Sequence, residues 1–113
     1  MTQKILEFDW KILRKLHAVA VERYCQGVFA EIDRISADTS KSFHQRYLDM
    51  YQLIKRRDKL LADTFDNSRR SMALFEITAM RQQGLLTEEE FSQFSQETRG
   101  VVELFLEGRK DYK

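Results

Sequence analysis

The sequence predicts an all-α fold, and three observations carry that expectation. Its 113 residues include no proline and only four glycines, far below the roughly 5% and 7% of average usage, so the residues that build turns and strand edges are scarce. Apolar side chains recur in alternating steps of three and four over long stretches, the period of a helix face. Residue pairs that cap helix N-termini stand at the heads of several of these stretches. With 42% hydrophobic and 33% charged residues, the chain is too apolar for intrinsic disorder and too charged for a membrane protein. The expected architecture is a single all-helical domain over 1–113, with frayed ends at 1–7 and 109–113. Within it, a bundle holds two long antiparallel helices, the second very long or kinked near 66–68, and two short C-terminal helices.

The first helix is expected to open at Asp9, whose carboxylate can accept from the free N–H groups of the first turn, with Phe8 and Leu13 as a hydrophobic staple. Val21, Cys25, Val28, Ile32 and Ile35 then form a heptad seam, and Leu13, Leu16, Ala20 and Tyr24 a second row beside it. So wide an apolar face implies more than one neighbour. The helix should end near Ser36, because residues 36–42, "SADTSKS", favour turns.

The second helix is expected from Ser42, with Gln45 at capping-box spacing. Tyr47, Tyr51, Ile54, Asp58, Leu61, Phe65, Ser68, Met72, Phe75 and Ala79 keep heptad phase without a slip, so one helix to Gln83 is expected. A break at Asp66 to Ser68 is the alternative, although Asp, Asn and Ser cost only a few tenths of a kcal/mol each against alanine. Unbroken, this helix would be roughly 60 Å long. Leu53, Leu60 and Leu74 lie off its seam and ask for a second partner. Gly84 can take the left-handed C-cap conformation. In "GLLTEEEF", Thr87 and Glu90 form a capping box, Leu86 and Phe91 a staple, and Glu88 to Glu90 complement the helix dipole. Ser95 is a further cap, which predicts a short helix from Glu88 to Phe94 and a last one from Gln96 to about Glu107.

Charge narrows the function classes. The net charge is +1, but residues 41–71 carry 8 − 4 = +4 and residues 72–113 carry 5 − 8 = −3, unlike regions that can attract each other within a chain or across a dimer. A single cysteine, Cys25, and no signal-peptide pattern suggest a reducing, cytoplasmic setting. No stretch reaches the 18 apolar residues of a membrane span.

Catalytic and metal constellations are sparse. Cys25, His17 and His44 do not stand at zinc-ligand spacing, and no Glu-x-x-His, Glu-x-x-Glu or Glu-x-x-Asp pair occurs. Asp63 and Asp66 fall away from the seam, where Lys59 and Arg70 can pair with them at four-residue spacing, so a solvated charged face is expected. Cys25 on the seam reads as a buried thiol and the histidines as boundary residues. No metal, cofactor or small-molecule substrate is expected, and no enzyme. Polar Asp58 and Ser68 inside the seam are the candidate register or partner residues, since a polar group in a heptad core fixes register at some cost in stability. The expected function is a non-catalytic helical interaction or assembly module, a coiled-coil homodimer or a binder of a partner helix. The alternative is a small helical regulator touching nucleic acid through the basic stretch 55–70, with Lys55, Arg56, Lys59 and Arg70 as the polyanion contacts.

Overall fold

The computed structural model describes residues 5–66 and 68–110, and among them all regular structure is helical. The described residues form five α-helices, α1 Glu7–Ala37, α2 Phe43–Phe65, α3 Ala73–Gln82, α4 Glu88–Phe91 and α5 Gln96–Lys110, with a 3-10 turn at Arg70–Met72 before α3. The outline is elongated, 52 × 30 × 24 Å. No helix among the described residues is long and apolar enough to cross a membrane.

Contacts between α1 and α2 step down α2 as they step up α1. The His17 ring meets the Phe65 ring edge-on at 5.2 Å, Tyr24 Oη donates to the Arg57 carbonyl at 2.7 Å, and Arg46 Nη1 donates to the Ser36 carbonyl at 2.7 Å. Ser42 caps α2 as expected, its hydroxyl accepting from Gln45 N at 3.0 Å.

The expected unbroken helix from Ser42 to Gln83 is not formed. α2 stops at Phe65, and the chain turns through Arg70–Met72 into α3. In one continuous helix Thr64 and Gln83 would stand about 28 Å apart; here Gln83 Nε2 donates to Thr64 Oγ1 at 3.2 Å. Thus α3 folds back beside α2 and does not extend it. The reason is tertiary. Folding back buries Ala73, Leu74, Ile77 and Met80 in the common core, at roughly 1.5–3 kcal/mol for each large side chain, which outweighs the few helix hydrogen bonds lost at a stretch of weak helix formers.

After α3 the local signals hold. Gly84 has φ +71, Leu85 N donates to Met80 O at 2.8 Å and Gly84 N to Arg81 O at 3.1 Å, the Schellman pattern. Thr87 and Glu90 form both halves of the capping box, and the staple residues Leu86 and Phe91 are buried. α4 ends at Phe91, shorter than the expected run to Phe94, and Phe94 is buried in the turn that follows.

The start of the chain differs from expectation. Asp9 lies inside α1, not at its cap, and is fully buried, while Phe8, its expected staple partner, is exposed. The Asp9 carboxylate instead serves α5. Its Oδ1 accepts from Ser95 N at 2.7 Å, and its Oδ2 accepts from Ser95 Oγ at 2.7 Å and Thr98 Oγ1 at 2.8 Å. The negative charge also faces the positive end of the α5 dipole. Residues 5–7, expected to fray, are held: Ile5 is buried, and its carbonyl accepts from Arg70 Nε and Nη2 at 3.1 and 2.9 Å. α5 likewise stays helical to Lys110. The remainder of the two expected frayed ends, 1–4 and 111–113, lies outside the described residues.

The core gathers Ile5, the N-terminal half of α1, Phe65, and α3 to α5. These elements form a base. The rest of α1 and α2, residues 25–37 and 43–52 with the turn between them, projects from it as an arm.

Candidate functional site

The arm is held by polar ties more than by a core. From Cys25 to Ala37 no residue of α1 is fully buried, and none is in α2 before Leu53. Val28, Ile32, Ile35 and Met50 are half-buried, which is what two helices without a third can achieve. Arg57 reaches across to Glu31 with two hydrogen bonds of 3.2 and 3.1 Å, and its guanidinium pKa is raised by that hydrogen bond against the opposing effect of burial. At the tip, Asp38 Oδ1 accepts from the Ser40 hydroxyl and from Ser40 N, which lowers the Asp38 pKa. Asp49 accepts from Lys41 Nζ at 3.0 Å and Gln45 Nε2 at 2.8 Å, so its pKa is also lowered.

On α2, Phe43, Tyr47, Tyr51 and Ile54 follow one another at four, four and three residues and are 83%, 66%, 55% and 49% exposed. Leu48 beside them is also exposed. Continue the same row along the helix and it reaches Leu61, half-buried, and Phe65, buried. A single helical row is therefore covered in the base and open along the arm. Scattered exposed apolar residues are ordinary, whereas a contiguous exposed row of aromatics at helical spacing is uncommon. Arg46 lies over the Phe43 ring at 4.4 Å and fixes that ring at the head of the row.

The sequence-predicted residues divide around this row. Asp58 is exposed and so is Ser68, which sits after α2 beside a surface hollow with Trp10, Arg14 and His17. Neither occupies the interface of α1 with α2. The inward face of α2 carries Leu53 and the half-buried Arg46, Met50, Arg57, Leu61 and Thr64. Arg57, one position before Asp58, is the residue that ties α2 across to Glu31 of α1. Of the polyanion candidates, Lys55, Arg56 and Lys59 are exposed on α2, with Lys55 and Lys59 to one side of the aromatic row. Arg70 is taken away from them and bound to the Ile5 carbonyl and, through Nη1, to Glu7 at 2.9 Å; the expected Asp66–Arg70 pair gives way to these contacts. Asp63 and Asp66 are exposed, as the wet-face reading requires. Cys25 is half-buried rather than enclosed, on the wall of a shallow groove with Val19, Glu22 and Phe29.

Other groupings appear only in three dimensions. Buried Glu76 stands 3.2 Å from His17 Nδ1, through Oε2, a pair of residues 59 apart in sequence that no local pattern marks. Next to it, Leu60, Asp63, Met72 and Phe75 line a cleft of about 320 Å³ between α2 and α3. Arg23 makes a fork onto both Glu90 carboxylate oxygens and donates to the Leu85 carbonyl at 2.9 Å, tying α1 to α4 where the arm leaves the base. The Arg23 hydrogen bond, with one from Thr87 N, holds the Glu90 carboxyl far below its ordinary range, at about 2. Among the described residues no three His, Cys, Asp or Glu side chains gather closely enough to hold a metal ion.

No protein-family model matches this chain, and neither the curated proteins nor the solved structures provide a significant match.

Proposed function

We propose that this protein is a non-catalytic helical interaction or assembly module, whose working surface is the exposed row Phe43, Tyr47, Tyr51 and Ile54 on α2. The observation that carries this reading is the change in cover along one helical row, buried at Phe65 and open from Ile54 back to Phe43. In the proposed working form α1 and α2 are an antiparallel hairpin that presents the row, and a second copy of the chain is its partner. Tyrosine and phenylalanine suit the role, because they contribute large contact areas at little cost in side-chain entropy and dominate interface energetics. The partly buried apolar residues of the arm support the same reading, since a two-helix arm gains stability when a further helix covers it.

Light scattering across a concentration series tests the proposal. The wild-type chain is expected to reach dimer mass, and Tyr47→Glu/Tyr51→Glu to remain monomeric with an unchanged far-ultraviolet circular dichroism spectrum. A wild-type chain that stays monomeric over the whole series would overturn the proposal of self-association.

A further inference from the structure

Resting on that reading, we infer that two copies pair through α2 in an antiparallel two-fold arrangement whose axis passes near residues 48 and 49, with Tyr47 opposite Tyr51 of the partner subunit. The exposed row runs from Phe43 to Ile54, so its midpoint lies between residues 48 and 49. A two-fold contact uses the same patch on both copies. A pairing that covers the whole row must therefore be centred there.

Charge decides the polarity. In a parallel, in-register pair, Asp58, which continues the row, would face its own copy, and like charges set opposite one another disfavour that arrangement. In the antiparallel pair Lys55 comes level with Phe43 of the partner subunit, where an ammonium over a ring face is attractive. Asp58 comes level with Thr39 and Ser40 of the partner subunit, at the tip of its arm, next to Lys41 of the partner subunit. Asp58, exposed in the monomer, then acts on register between copies and not within one chain.

Steric room agrees. With the axis at 48–49, the tip of one arm, residues 38–42, reaches the level of residues 56–60 of the other. It stops short of Leu61, where the base begins to cover the row. At the exposures of Phe43, Tyr47, Leu48, Tyr51 and Ile54, the row offers on the order of 500–700 Å² per copy, or roughly 1,000–1,400 Å² in total, against about 1,200–2,000 Å² for a specific stable interface.

A nitroxide at Lys59→Cys, in a Cys25→Ser background, tests the arrangement by pulsed electron–electron resonance. Lys59 is exposed and lies beside the row, not in it. The proposed axis separates the two labels by about 30 Å along the helices; a parallel pair leaves only the helix spacing, about 10 Å, plus the linkers. A distance near 30–35 Å that disappears on adding Tyr47→Glu/Tyr51→Glu is expected. A distance below about 20 Å in a chain of dimer mass overturns the register and polarity while leaving the interaction reading in place. A dimer with any other distance, or one insensitive to the two tyrosine changes, places the contact elsewhere and overturns the inference. Monomer mass without dipolar coupling removes both the inference and the homodimer reading beneath it.

Discussion

The base and the arm are built from the same two long helices, yet they are stabilised in different ways. In the base, α1 contributes Asp9, Leu13, Leu16, Ala20 and Tyr24, all buried, against a core that α3, α4 and α5 complete. In the arm the same helix contributes only half-buried residues, and α2 shows its most aromatic face to solvent. The base closes on itself by apolar burial, while the arm stands on cross-helix polar ties and keeps an apolar row in reserve. In the base the apolar pattern of the helices is met from within the chain, whereas along the arm no described residue covers the apolar row of α2.

The largest effects should separate the two regions by stability. Leu13 is fully buried, and Leu13→Ala is expected to cost about 3–4 kcal/mol through lost burial and the cavity left behind. Ile35, half-buried in the arm, should cost about 1 kcal/mol on the same truncation, because water already reaches part of it. Thermal unfolding of the two variants measures the difference, and equal losses would show that the arm has a core of its own. Amide hydrogen exchange checks the same contrast without mutation. Arm amides should exchange through local opening and those of α3 and α5 only on global unfolding.

Next in size is the tie from Asp9 to the start of α5. Asp9→Asn replaces one carboxylate oxygen with an NH₂ donor facing groups that themselves donate, Ser95 N, Ser95 Oγ and Thr98 Oγ1. It also removes the charge facing the α5 dipole. Loss of about 2 kcal/mol is expected, measured by chemical denaturation, with arm contacts unaffected. A variant as stable as wild type would mean that the hydroxyls turn and find other acceptors.

Asp9 also shows what could be read from the sequence and what could not. Caps whose partners lie within about five residues were legible: Ser42 with Gln45, the Gly84 turn, and Thr87 with Glu90. Asp9 looked like such a cap, but its partners are 86 to 89 residues away, and no local spacing encodes that. The phase of α2 misled for a related reason. Arg46 and Arg57 sit on its inward face, their stems partly covered and their heads bonded to α1, so the row facing α1 reads as polar. The row that reads as a seam faces outward along the arm. Sequence periodicity located that apolar row correctly and could not say which neighbour it meets. The all-helical class was legible because it needs only composition and period. The reversal after Phe65 was not, because the gain that drives it comes from burying α3 against residues far away in the chain.

Gly84→Ala should have a smaller effect, about 1 kcal/mol, measured as a drop in melting temperature. An added Cβ meets nothing within 4 Å, so the cost is purely that of holding alanine at φ +71. The Schellman hydrogen bonds between α3 and α4 and the α1 ties should persist. A loss matching Leu13→Ala would mean that this turn is coupled to the core more tightly than its open surroundings suggest.

The smallest effect at neutral pH, and the one that speaks to the boundary between arm and base, belongs to Glu90. Its carboxyl titrates at about 2 in the folded chain against an ordinary value of 4.5. Between those values the unfolded chain takes up a proton that the folded chain does not, so this contribution is fully present above about pH 4.5 and fades as the pH falls toward 2. The Arg23 fork is partly open to solvent, which screens it and keeps its worth modest. Melting temperature against pH for wild type and Glu90→Gln should therefore give curves that are separated above pH 5, converge toward pH 2 and draw together with added salt. Curves that stay parallel across that range would mean that Arg23 holds α1 in place through the Leu85 carbonyl, with the carboxylate incidental. Convergence would place an ion pair at the point where the closed base gives way to the open arm.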